Sequence, residues 1–530
     1  MSASTLKTLI VVAVHILLLS GCGTVERNAS TEFPNSAVVS PCRDAYSSLD
    51  RAIAMHGVRD AEAHRVGQWR YLRIDRFSAS LVAHISSPTH FDAWLAQLMR
   101  LEREGRAVEI ANLPVVVRQN LTLKIGGLLA PHAASFSLNG GWLAECQAAL
   151  ASRDFAGDSE RAALMALGIV PDSYSSLRRV LGVYPLTSIG VWWGFEQWKD
   201  RHLRSFATPV AQIEARGRRI RYTPRPAKQG SESRPLSMAQ VGQLLRNARS
   251  GPFGLPQFSA PELERLAATY APEFLIDTVN QSDLIGRPKW QRTRPPSAQV
   301  DAALIPDVDA KDPVAFVRLA YAWFDGRVVP QLVYAIWFAS RPKESEFDLL
   351  GGRLDGLVWR VTLDDDGSVL IADSIHPCGC YHLFFPGERV VRRRPTAAQK
   401  WTLSEEAIIA QSLNRETAPT LLVASGSHYL QKVIGTDATP PPRSVGYRLA
   451  VSTVPDWGLR AIALGDGRTR SLFSQSGLVE RTERLERFVL WPMGILNAGA
   501  MRQWGHHATA FVGRRHFDAP ELLDEYFARR

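Results

Sequence analysis

The sequence predicts an α+β fold: an N-terminal helical region followed by a C-terminal antiparallel β meander, closed as a sandwich or a partly closed barrel. Three observations carry this. Apolar residues recur at helical spacing between residues 41 and 155. From residue 259 onward the apolar runs turn β-branched and aromatic and are divided by Asp-Gly pairs. Between the two lies a basic stretch rich in proline and serine, the composition of a boundary.

The chain opens with Lys7 and an apolar run, Leu9 to Leu19, broken only by His15. That run is far short of the roughly 20 residues a membrane-spanning helix needs, and residues 1–21 suit a cleavable export signal. The run ends in Leu19-Ser20-Gly21-Cys22. This tetrad resembles the lipobox of bacterial lipoproteins, a resemblance confined to residues 1–22. It implies cleavage before Cys22, a diacylglycerol on the Cys22 thiol and a further acyl chain such as palmitate on the new N-terminus. Two or more chains hold a protein on a bilayer where one does not. Gly23 stands where lipoproteins kept at the inner membrane often carry aspartate. By the same resemblance the outer membrane is favoured, with the body facing the periplasm. Residues 22–40 are polar, lack apolar periodicity and read as a flexible tether.

Residues 41–155 read as helical. Ser40-Pro41 is a start signal and Gly57 a stop, with Tyr46, Leu49 and Ile53 on one face between them. Phe91, Trp94, Leu95, Leu98 and Leu101 repeat the stripe before Gly105, and Trp142, Leu143, Cys146 and Leu150 form a third. Residues 156–258 look irregular. "PLTSIGVWWGFEQWKDRHLRSF" sets Trp192, Trp193, Phe195 and Trp198 beside Lys199, Arg201 and Arg204. Such a cluster either meets a membrane interface or sugar rings, or buries its aromatics against the next domain. "RGRRIRYTPRPAKQGSESRPLS" reads as an exposed linker or long loop. Residues 259–530 form the β-rich part. A helix over Ser259 to Tyr270 precedes hairpins at Asp325-Gly326 and Asp366-Gly367, and "SEEAIIAQSL" is expected to be helical.

Composition is that of a globular protein: 530 residues, 45% hydrophobic and 22% charged, with a net charge of +10. An exported protein rarely meets nucleic acid, so none is expected as a partner. Beyond the bilayer reached through an acylated Cys22, the basic balance suits anionic lipid, lipopolysaccharide, cell-wall polymer or an envelope protein.

Setting Cys22 aside leaves Cys42, Cys146, Cys378 and Cys380, an even number in an oxidising compartment. Cys42 with Cys146 and Cys378 with Cys380 is the simplest pairing. "DSIHPCGCYH" also offers His376, Cys378, Cys380 and His382 at spacing two, one face of a strand. A straight strand spreads them too far for one ion, but Pro377 and Gly379 permit a bend. His506 and His507 are candidates to complete a shell, for which thiolate and imidazole suit zinc or copper. Metal site, Cys378–Cys380 disulfide, structural thiols and catalytic thiol all stay open here.

Two functional readings follow. One is a membrane-anchored lipoprotein acting as a cell-envelope binding or assembly protein. The other is an exported metal-dependent or thiol-redox enzyme with its site around His376 to His382. No Gly-x-Ser-x-Gly, Walker loop or His-Glu-x-x-His is present.

Overall fold

The structure is a computed structural model that describes residues 39–130, 136–225, 235–293, 304–394, 403–413, 418–435, 444–452 and 458–530. Cys22, the predicted export signal and nearly all of the predicted tether lie outside the described residues. No described helix is long and apolar enough to cross a membrane.

The predicted α+β fold is present. Helix α1 (Val39–His56) stops at Gly57, whose φ of +63° suits a residue without a Cβ. Ser87 caps α2 (Pro88–Asn112), its Oγ accepting from the His90 N–H at 3.3 Å. Helices α3 (Val115–Leu129) and α4 (Trp142–Asp154) complete the region. The three predicted stripes meet in one core, where Tyr46, Leu49, Trp94, Leu98 and Leu150 are buried together. Cys42 on α1 and Cys146 on α4 form a disulfide, as the pairing predicts.

Behind this core runs a buried ionic lattice. Arg73 sits 2.5 Å from Glu102 and 2.8 Å from Glu109, while Arg106 sits 2.6 Å from Asp50 and 3.2 Å from Glu109. Gly105 makes room for it: a Cβ there would lie 2.4 Å from Arg73 Nη1.

The middle of the chain departs from expectation. Residues 156–258 are largely helical, with α5 (Asp158–Leu167), α6 (Tyr184–Ala207) and α7 (Met238–Ala248). The basic stretch is not merely a linker, because it contributes strand β1 (Arg218–Pro224) to the central sheet. Ile220 and Tyr222 point into the core between exposed or half-buried arginines, a period-two pattern that the flanking proline and serine obscure.

The other sheet strands are β2 (Glu273–Thr278), β3 (Val314–Phe324), β4 (Arg327–Arg341), β5 (Gly352–Leu363), β6 (Val369–Ile375), β7 (Leu383–Pro386), β8 (Ile408–Ile409), β9 (Thr420–Val423), β10 (Leu430–Ile434) and β11 (Ser444–Val451). Their order is β8-β7-β6-β5-β4-β3-β11-β1-β2-β9-β10. The run from β3 to β7 is the predicted antiparallel meander. Parallel pairing of β11 with β3 and β1, of β2 with β9 and of β7 with β8 makes the whole sheet mixed. Asp325 and Gly326 turn β3 into β4 with φ of 55° and 71°, and Gly367 turns β5 into β6 with φ of 89°. Helix α8 (Ala260–Thr269) starts at a Ser259–Glu262 capping box. "SEEAIIAQSL" is not helical: Ile408 and Ile409 pair with Leu383 and Phe384 at the sheet edge, where β-branched residues gain burial.

The sheet curls. Its inner face, with Ile336, Leu357, Trp359 and Phe274, packs on Val241 and Leu245 of α7 and Leu263 and Leu266 of α8. The outer face is covered by the helical region and by residues 458–530, which carry little regular structure.

Candidate functional site

The stretch from His376 to His382 is a tight hairpin between β6 and β7, not an extended strand. The His376 N–H donates to Cys380 O at 3.0 Å and the Gly379 N–H donates to His376 O at 2.8 Å. Gly379 has φ of +91°, and a Cβ there would meet Ala508 O at 2.5 Å, so only glycine fits. Reversal of the chain cancels the one-face reading. His376 and His382 fall on opposite sides of the sheet.

His376 belongs to a buried relay. Its Nδ1 lies 3.1 Å from Asp355 Oδ1, and His428 Nδ1 lies 2.9 Å from Asp355 Oδ2. His428 Nε2 lies 3.3 Å from Asp283 Oδ1, near enough for an ion pair but poorly aligned for a hydrogen bond. The ring of Phe338 stacks on His428 at 3.9 Å. Burial disfavours charge on His428, yet the two flanking carboxylates outweigh it and lift the pKa above the ordinary imidazole value. For His376 burial wins and the pKa falls.

His382 joins a second cluster. Its Nε2 is 2.8 Å from Asp373 Oδ2, and Asp373 also takes two bonds from Arg360. Burial holds His382 at a pKa of about 4, so the ring is neutral.

Cys378 and Cys380 are buried and not bonded to each other, in place of the two-residue bridge considered from the sequence. A hydrogen bond from the Cys380 thiol to Cys378 and burial push that thiol well above its ordinary pKa. A thiol so placed is a poor nucleophile. Among the described residues no three histidine, cysteine or acidic side chains converge as a metal shell.

The C-terminal histidines lead elsewhere. A cleft of about 690 Å³ opens between α2 and β3. It shares Glu62, Arg318, Ser452, Arg460 and Trp504 with a smaller, mostly apolar chamber of about 120 Å³, which His507 lines. Arg318 spans the junction, with Nη2 3.0 Å from Glu62 Oε1 and its guanidinium 4.4 Å over the Trp504 ring. Arg460 binds Glu62 at 3.3 Å and Asp60 at 2.6 Å, and Arg76 binds Asp518 at 2.9 Å. Burial would raise the Glu62 pKa, but Arg318 and Arg460 hold it at about 2. Burial drives His507 to about 3. His506 instead donates from Nε2 to Ala61 O at 2.7 Å.

Four buried polar atoms on residues lining the inner chamber have no hydrogen-bond partner among the described residues: Arg318 Nε, Trp337 Nε1, Gln503 Oε1 and His507 Nδ1. Unpaired polar atoms are costly to bury, and four of them gather on the residues around this cavity. A groove of about 590 Å³ around Trp290 and Arg470 has none. The distance relations were not readable from sequence, since Glu62, Arg318, Arg460 and Trp504 come from four separated segments. One signal was present: Arg318 interrupts the apolar run "VAFVRLAYAWF".

Comparison with protein-family models, with curated proteins and with solved structures finds no match to this chain.

Proposed function

We propose that this chain is a membrane-anchored lipoprotein of the bacterial envelope whose body binds a glycan of the cell wall in the cleft between α2 and β3. The lipobox residues supply the address. The observation that carries the binding role is the cleft itself, with aromatic faces and unpartnered polar atoms at one place. Its volume suits a small-molecule or oligomer subsite.

Charge pairing favours a polyhydroxylated ligand over a free polyanion. Arg318, Arg460 and Arg76 are each engaged by a carboxylate, so an anion must break pairs to bind at those three. Hydroxyl groups need not: paired guanidinium and carboxylate groups still present donors and acceptors in fixed directions. Trp504, Tyr321, Phe253 and Phe258 add flat apolar faces for the C–H side of a sugar ring. The exported-enzyme reading has less behind it, because Cys380 is a buried, neutral thiol and His376 and His382 face apart.

The test uses the full chain with Cys22→Ser, mixed with purified peptidoglycan sacculi and with soluble glycan fragments. Co-sedimentation that soluble fragments compete away, and that Trp504→Ala weakens about tenfold or more, supports the proposal. Absence of binding, or equal binding by Trp504→Ala and Arg318→Ala, overturns it.

A further inference from the structure

Helix α6 is seated along one side and leaves an apolar stripe of its N-terminal half uncovered. Its C-terminal half is seated: Trp198 packs on Tyr381 at 5.0 Å and on Tyr429 at 6.1 Å, and Ser205 Oγ donates to Gln431 O at 2.9 Å. Its N-terminal half rests on the turn Trp491–Met493, with Ser188 buried and the Tyr184 hydroxyl accepting from the Gly513 N–H at 2.8 Å, but its outward side is bare. Leu186, Ile189 and Trp193 lie on one face at spacings of three and four, and they are 69%, 55% and 63% exposed. Across all of α6 only Ser188 and Phe206 are buried.

This stripe is part of a wider surface. The Ser175 N–H donates to Gly494 O at 2.8 Å and Arg179 Nε donates to Met493 O at 2.9 Å, which ties the short helix Ser176–Leu181 to the turn Trp491–Met493. Leu177 on the first of these and Phe488 on the short helix Glu486–Leu490 just before the second are each 63% exposed. Exposed apolar groups gathered this way mark a docking face.

We propose that this face lies on a bilayer surface carrying anionic headgroups. Charge selects that occupant. Arg179 is turned inward, where its guanidinium donates to Met493 O and Gly513 O. From Ser173 to Phe195 and from Arg487 to Met501 there is no aspartate or glutamate, whereas Arg178 and Arg487 are present. A second copy in a two-fold contact would set these arginines against one another with no carboxylate to pair them. A layer of lipid phosphates satisfies them while the acyl boundary takes up Leu186, Ile189 and Phe488. Trp193 and Trp491 are the side chains that favour the water–lipid boundary. The face also answers the question raised by "PLTSIGVWWGFEQWKDRHLRSF": its aromatics divide, Trp198 turning toward the sheet and Trp193 toward solvent.

The inference rests on export to the envelope but not on acylation, so it is tested in the full chain with Cys22→Ser, where loss of the anchor and loss of this face are separate. Vesicles of phosphatidylethanolamine with phosphatidylglycerol are floated through a density gradient with the protein, beside vesicles of phosphatidylcholine alone. Flotation with the anionic vesicles, reduced about tenfold or more by Leu186→Asp with Trp193→Asp, is the expected result. Both side chains are exposed, so the unfolding midpoint of the double variant serves as the control for folding. No flotation, or equal flotation by the double variant, overturns the proposal. So does sedimentation velocity that shows a dimer abolished by the same substitutions without vesicle binding, which would assign the face to a second copy. Lower retention on neutral vesicles and at high salt identifies the headgroup charge as the part that Arg178 and Arg487 read.

Discussion

His428 Nδ1 stands 2.9 Å from Asp355 Oδ2, although the two residues sit on elements that are far apart in the sheet order. Curling of the sheet makes this contact, and Phe338 stacked on the ring keeps water from it.

That pair has a pH signature. An unfolded imidazole titrates at about 6.5, and the folded His428 pKa lies higher. Its contribution to stability is therefore complete below about pH 6.5 and is lost as pH rises through the folded value. Asp355, held well below the usual carboxylate range once burial is overcome by His376 and Arg484, works the other way. Its contribution is present above about pH 4 and lost as pH falls through its folded value. His428→Ala leaves Asp283 and Asp355 without their shared cation and is expected to cost about 3–5 kcal/mol near pH 6. Urea denaturation of both proteins across pH should show the gap narrowing on the alkaline side. A gap that stays constant means the ring carries no charge.

Cys42 and Cys146 close a loop across a sequence separation of 104 residues. The chain-entropy account assigns such a loop about 4–5 kcal/mol. Replacing both by alanine should lower stability by that order in a denaturant series, with the helical region losing circular dichroism first. A change near zero would mean that the helical core needs no cross-link.

In the Cys22→Ser chain the two free thiols are Cys378 and Cys380, both buried. A thiol reagent such as dithionitrobenzoate should leave the native protein unmodified and titrate both after unfolding. Fast modification of the native state would show the hairpin opening on the timescale of the reaction and would revive a redox role for it.

Acylation of Cys22 predicts a membrane fraction that only detergent releases. In the native host, Cys22→Ser should abolish palmitate labelling and convert the protein to one that salt or alkaline washing extracts. Retention of detergent-only extraction by Cys22→Ser would remove the anchor from this account.

Local pattern carried some elements in full. The stripes of α1, α2 and α4, the helix starting at Ser259 and the two Asp-Gly hairpins are decided within a turn or two of chain, where side-chain period and turn chemistry act directly. The pairing of Cys42 with Cys146 was readable for a related reason, since both fall on predicted helices of one region. "SEEAIIAQSL" failed because its helical periodicity competes with an edge strand that a local window does not contain. The basic stretch failed in the opposite sense: its alternation of Ile220 and Tyr222 with arginine is short, and composition outweighed it.

Which residues meet across the fold is a separate matter. The order of residues was enough to set out the succession of helical and β-rich parts, because each depends on neighbours along the chain. It was not enough to turn His376 away from His382, to assemble Asp283, His428 and Asp355, or to bring Glu62, Arg318 and Trp504 to one cleft. Those contacts arise when an eleven-stranded sheet curls and packs against helices, and the free energy that selects them comes from burial summed over the whole body.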